Sequence, residues 1–107
     1  MPRTYWKSRN SADNRLLIDC IDHELYHIAD YASGLANRYY TAYGGSAYSN
    51  NINEKAYQTM KNIMDYRAYS GNQYYNERFR PNNPVRDYSE TIETLRKQLP
   101  RGWWNIR

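Results

Sequence analysis

Cysteine is nearly absent: Cys20 is the only one in the chain. An intrachain disulfide is excluded, which fits a reducing compartment and leaves packing, hydrogen bonds or a bound ion to hold the fold. Phenylalanine is scarce too, with one Phe against 13 Tyr and 3 Trp. Tyrosine packs its ring but keeps its hydroxyl wet or hydrogen-bonded, so the expected core is thin and its rings reach the surface. No apolar run approaches the ~20 residues of a membrane-spanning helix. Met1 to Asn10 is polar and basic and lacks the apolar stretch of a secretory signal. These absences predict a protein that is cytoplasmic where it is made, with no membrane partner. Action in a host or target cell would need delivery by some other route. No Gly-rich phosphate loop is present, since Gly44-Gly45 lacks the spacing and the Lys of one. There is no lysine-rich tail either. The formal net charge of +4 is a mild excess that identifies no partner.

What is present suits one small domain, for 107 residues are too few for two. Residues 1–10 read as an N-terminal arm, anchored by Tyr5 and Trp6, and residues 11–107 as a single domain. A first helix is predicted from Ser11 or Asp13, both good N-cap residues, to the stop at Ser33-Gly34. Leu17, Ile21, Leu25, Ile28 and Ala32 recur at steps of three and four, the spacing of a buried helical face. The Tyr-, Gly- and Asn-rich stretch from Leu35 to Asn51 reads as a loop, with a short hairpin near Tyr39–Tyr43 as an option. A second helix is predicted from Asn51, with Glu54 completing a capping box, to Ser70-Gly71. Asn72 to Arg86 reads as irregular because of Pro81 and Pro84. A short third helix starts at Asp87 and Glu90 and carries Ile92, Leu95 and Leu99, and the tail Trp103, Trp104 and Ile106 anchors on the body. The fold class expected is therefore mainly α: two principal helices, a short third one and long Tyr-rich loops.

Both histidines of the chain fall in one motif, His23-Glu24-Leu25-Tyr26-His27. Residues four apart lie on one side of a helix, one turn above the other. His23 and His27 can therefore offer two imidazole nitrogens to one ion, and Glu24 stands at the edge of that face as a base for a metal-activated water. The bland alternative is two surface histidines around a solvated glutamate. It is weakened by the lack of any other His and by the strongly amphipathic helix around the motif. A catalytic zinc takes three protein ligands and one open position. With no third His, the remaining ligand must be a carboxylate. Glu54 is the first choice and Asp65 the second, while Asp30 is better placed to orient an imidazole. Against Glu54 stands the helical wheel, on which Glu54, Gln58, Lys61 and Asp65 lie opposite Ala56, Met60 and Ile63.

The run from His23 to Tyr31, followed by Gly34, resembles the motif helix of small toxin-type zinc metallopeptidases: the NleD-type effector peptidases and the metallopeptidase-like domains at the toxin ends of Rhs proteins. In these the HExxH helix is followed by a second helix with a pattern close to E-x-x-A-x-x-x-E-N-x-x-R. Here the comparable stretch is Glu54-x-x-Tyr57-x-x-x-Lys61-Asn62, with Arg67 and Gly71 beyond. Tyr57 replaces the small residue, Lys61 replaces the second Glu, and Arg67 falls late. The resemblance spans Asn14 to Arg80 and is specific only at the motif helix. It implies a zincin-like, gluzincin-type zinc peptidase acting on a protein, in the setting of a toxin, effector or phage product.

Candidates to polarise a scissile carbonyl are Tyr66, Arg67, Tyr74 and Tyr75, although packing of the tyrosines and a carboxylate partner for Arg67 is the default. Two non-enzymatic readings compete. One is a basic, Tyr-rich nucleic-acid module, with bases stacked on Tyr74, Tyr75, Phe79 and the Trp tail and phosphates on Arg78, Arg80 and Arg86. The other is a phage structural or inhibitor protein that binds another protein through its tyrosines.

Overall fold

Four helices carry the described residues. The computed structural model describes residues 11–82, 84 and 86–106, with the side chains of 11–15 excepted. The expected arm over residues 1–10 and its anchors Tyr5 and Trp6 lie outside the described residues, as do the side chains of the expected caps Ser11 and Asp13. Helix α1 is Ser11–Ala32, α2 is Leu35–Ala42, α3 is Glu54–Phe79 and α4 is Ser89–Gln98. No strand occurs among the described residues, so the mainly helical class expected from the sequence is the class observed.

α1 ends where Gly34 takes the left-handed conformation, φ 84°, that a side chain resists. The chain does not then enter a loop or hairpin. Leu35 to Ala42 forms α2, whose Ala36 and Tyr39 are buried on its inner face. Strand propensity at Tyr39, Tyr40 and Thr41 yields here to the burial that a helix gives the ring of Tyr39. α3 begins two residues later than the Asn51 capping box, because the cap is Asn53, whose side chain accepts from the Ala56 amide at 3.1 Å. It also runs through Gly71 to Phe79 instead of stopping at Ser70. Gly71 serves a close approach here: a Cβ on it would lie 2.3 Å from the Tyr26 ring. The helix ends one residue before Arg80, whose successor Pro81 disfavours helical backbone at the residue preceding it. α4 starts where Asp87 Oδ1 accepts from the Ser89 amide at 2.9 Å.

α3 is the central element, and the other three helices all pack on it. α1 runs antiparallel to it, as the cross-helix contacts Asp19–Asn76, His23–Asn72, His27–Asp65 and Tyr31–Met60 require. The apolar core is small and off-centre. It joins Ala36 and Tyr39 of α2 to Met60, Ile63 and Met64 of α3. Leu99, Trp103 and Ile106 pack against it, with the Trp103 ring edge-on to Tyr66 at 5.4 Å. The tail is thus an anchor through Trp103 and Ile106, while Trp104 is exposed.

α1 packs with the opposite face to the one its apolar spacing suggests. Ile21, Leu25 and Ile28 are 42 %, 54 % and 60 % exposed, whereas Asp19 and Asp30 are buried. At about 100° per residue, the buried side of α1 carries Asp19, His23, His27 and Asp30, and the aliphatic stripe points away from α3. A stripe that faces out hands the inner face to the polar residues, and every group there needs a partner.

Candidate metal centre

Three side-chain atoms converge between α1 and α3. His27 Nε2 lies 3.0 Å from His23 Nε2 and 3.1 Å from Asp65 Oδ1, and His23 Nε2 lies 3.9 Å from the same oxygen. With His27 protonated at Nε2, that N–H donates to Asp65 or to His23; with both imidazoles protonated at Nδ1, all three atoms offer only lone pairs and the group can hold a cation. A metal ion is one occupant that the separations accommodate. Ligands at about 2.0–2.1 Å from a tetrahedral ion stand about 3.3 Å from one another, within the range spanned by these three distances. Two His and one carboxylate also leave a fourth position open.

The protonation of His23 follows from its neighbour. Asn72, 2 % exposed, sends its amide NH2 to the backbone carbonyl of Asp19 at 3.1 Å. A carbonyl can only accept, so the other end of the amide, Oδ1, is the end that faces His23 Nδ1 at 3.3 Å. Nδ1 therefore carries the proton, and the lone pair falls on Nε2, the atom aimed at His27 and Asp65. An imidazole oriented through its other nitrogen is the usual support of a metal ligand.

Below Asn72 the inner face is tied at Asp19. Its Oδ2 accepts from Tyr88 Oη at 2.8 Å and from Asn76 Nδ2 at 3.0 Å. Its Oδ1 faces Arg80 Nη1 at 3.6 Å, an ion pair too long for a hydrogen bond. Burial, and then the bond to Asp19, push the Tyr88 phenol well above its ordinary range. At the other end Asp30 takes a bidentate pair from Arg67, at 2.9 and 3.1 Å. Arg67 thus pairs with a carboxylate, and Asp30 holds Arg67 instead of orienting an imidazole as expected.

Of the residues expected at the site, the fold brings together His23, His27 and the second-choice carboxylate Asp65. It does not bring Glu54 there. Glu54 opens α3 in its first turn, eleven residues or about 16 Å of helix before Asp65. Its carboxylate is spent on the positive end of the helix, the role its position next to the cap fits. Glu24 is exposed and lines a cleft of about 190 Å³ together with His23, Tyr69, Asn72 and Arg86. A second cleft, of about 420 Å³, is lined by Asp65, Tyr69, Arg86 and Glu90. Tyr69 and Arg86 border both.

The tyrosine next to the histidines is therefore Tyr69, whose ring lies 4.5 Å from that of His23. Its signal in the sequence is its place one turn after Asp65. Tyr66 packs on Trp103, Tyr75 on Phe79, and Tyr74 is exposed away from the group. Among the residues of the nucleic-acid reading, Arg80 turns inward to Asp19 and lies over the Tyr75 ring. No described helix is long and apolar enough to cross a membrane. No protein-family model, curated protein or solved structure matches the chain.

Proposed function

We propose that this chain is a zinc-dependent hydrolase that cleaves peptide bonds in a protein substrate. The convergence of His23 Nε2, His27 Nε2 and Asp65 Oδ1 carries the reading. The choice of zinc rests on the donor set of two imidazoles and one carboxylate and on the His-Glu-x-x-His motif. The choice of a protein substrate, met as a toxin, effector or phage product, rests on the resemblance of the motif helix.

In this reading His23, His27 and Asp65 hold the ion, with Asn72 keeping His23 in the tautomer that ligates. A zinc ion in such a site acidifies water to a pKa of roughly 7 and polarises a carbonyl. Glu24, on the wall of the cleft beside His23, accepts the proton that the attacking water loses and passes it to the departing amine. Tyr69 and Arg86, which border both clefts, supply hydrogen-bond donors to the carbonyl oxygen as it gains charge.

The test combines metal titration with digestion. Protein stripped with chelator and titrated with Zn2+ in a calorimeter should bind one equivalent, and His23→Ala and His27→Ala should each lose it. Incubation with a proteome-derived peptide mixture, read by mass spectrometry, should give new termini with wild type and none with Glu24→Gln. Glu24→Gln should still bind one Zn2+, because it keeps the shape of the side chain and removes only the base. Absence of stoichiometric Zn2+ binding, or cleavage that survives His23→Ala, would reject the proposal.

A further inference from the structure

We propose that the outward face of α1 is a self-association surface that packs against the same face of a second copy of this chain. Ile18, Ile21, Leu25 and Ile28 are 41 %, 42 %, 54 % and 60 % exposed. With Ala32 they follow one another at steps of three, four, three and four, which is the heptad spacing of helices that pack in pairs. A helix that only caps its own domain turns such a stripe inward. α1 already satisfies the domain with its polar face, so its aliphatic face is left without a partner among the described residues.

Spacing, area and charge favour a second copy as the partner. The spacing is self-complementary, as a two-fold interface requires. The stripe continues across a groove lined by Leu25, Tyr26, Ala29, Tyr74 and Phe79, where Tyr74 and Phe79 are 61 % and 62 % exposed. Stripe and groove rim together expose Ile18, Ile21, Leu25, Ile28, Tyr74 and Phe79, a contiguous apolar face of the kind on which an interface of ~800 Å² per partner is built. In a parallel pair the heptad register sets Glu24 of one copy opposite Ala29 of the other, and Leu17 opposite Asp22. No like charges meet across the seam. Two heptads alone would hold weakly, and the aromatic rim supplies the rest of the contact.

The three residues that converge for a metal lie on the inner face, while Glu24 flanks the seam and also borders the cleft beside His23. Light scattering coupled to size exclusion, with the full chain at micromolar concentration, should give twice the 12.9 kDa of one chain. Ile21→Glu combined with Leu25→Glu should give a monomer with unchanged far-UV circular dichroism, because both side chains are exposed. Ile21→Lys combined with Leu25→Lys should do the same, and mixing the two variants should restore the doubled mass. A monomeric wild type, as expected if a different protein or residues 1–10 cover this face, overturns the proposal. So does a glutamate variant that stays dimeric.

Discussion

Replacement of Asn72 separates the metal centre from the fold that holds it. Asn72 accepts from His23 Nδ1 at 3.3 Å and donates to the Asp19 carbonyl at 3.1 Å. Asn72→Ala removes both bonds from a site that is 2 % exposed, which costs about 1–3 kcal/mol of stability for the buried groups left unpaired. It also frees His23 to take the tautomer with its proton on Nε2, where no ligand can be offered. Loss of such an orienting bond typically weakens metal binding 10–100-fold, or about 1.4–2.8 kcal/mol. Asn72→Asp divides the two effects. A carboxylate still accepts from Nδ1, so zinc affinity is kept. It cannot donate to the Asp19 carbonyl and sets a second negative charge beside Asp19, so stability falls. Competition titration against a chromogenic chelator gives the first quantity and urea unfolding of the metal-free protein the second. The tautomer itself is read from the imidazole nitrogen shifts of the metal-free protein. Equal zinc affinity in wild type and Asn72→Ala, or a His23 ring protonated at Nε2 in the wild type, would refute the argument.

The remaining predictions concern other residues of the two facing helices. Asp65→Asn should abolish zinc binding, whereas Glu54→Ala should leave it unchanged and cost no more than about 1 kcal/mol, the value of an acidic group in a helix's first turn; titration of both variants decides between the two carboxylates. Asp19→Ala leaves Arg80 and Tyr88 without their shared carboxylate and should destabilise by about 3–5 kcal/mol in urea unfolding, a large part of the stability of a small domain. Burial and then the charge of Asp19 raise the Asp22 carboxyl above its ordinary 3.8. The native state thus holds that proton more tightly than the unfolded chain, and stability falls as pH climbs through this window. Asp22→Asn should therefore raise the melting temperature at pH 7, and the gain should vanish below pH 3.8. Gly71→Ala should gain no stability in wild type, where its Cβ would meet the Tyr26 ring at 2.3 Å, but about 1 kcal/mol from helix propensity when Tyr26 is also Ala; a double-mutant cycle measures the difference.

The helices were legible where local chemistry sets their ends and obscure where tertiary contacts do. Gly34 stops α1 because a left-handed residue closes a helix by itself, and α4 starts at Ser89, whose amide donates to the Asp87 side chain while Tyr88 stands at the cap. Gly71 reads as a stop by the same rule, yet α3 passes through it. What the glycine provides is room for Tyr26, forty-five residues away in the sequence, and no local pattern marks that. α2 was hidden for a related reason. Its tyrosines suit a strand in isolation, and only the burial of Tyr39 against Met60 and Ile63 chooses the helix.

The site was half legible, and the missing half follows from the reversal of α1. Four-residue spacing is enough to put His23 and His27 on one face. Glu54 and Asp65 share one face of α3, so the choice between them needs the register along the helix at which that pair meets it. An aliphatic stripe on α1 argues that the histidines sit at its margin and look toward a domain edge, where Glu54 could reach them. In the fold the stripe faces outward and the histidines lie at the centre of the interface, one turn from Asp19 on one side and Asp30 on the other. The sequence holds the information for this in its polar residues. Asp19, His23, His27 and Asp30 recur at helical spacing on α1, and Asp65, Tyr69, Asn72 and Asn76 do so on α3. Two polar stripes that match in length are costly to bury separately and can satisfy each other only face to face. Antiparallel pairing then sets Asn76 against Asp19, Asn72 against His23 and Asp65 against His27. Glu54 lies off the end of that register, beyond the contact of Met60 with Tyr31.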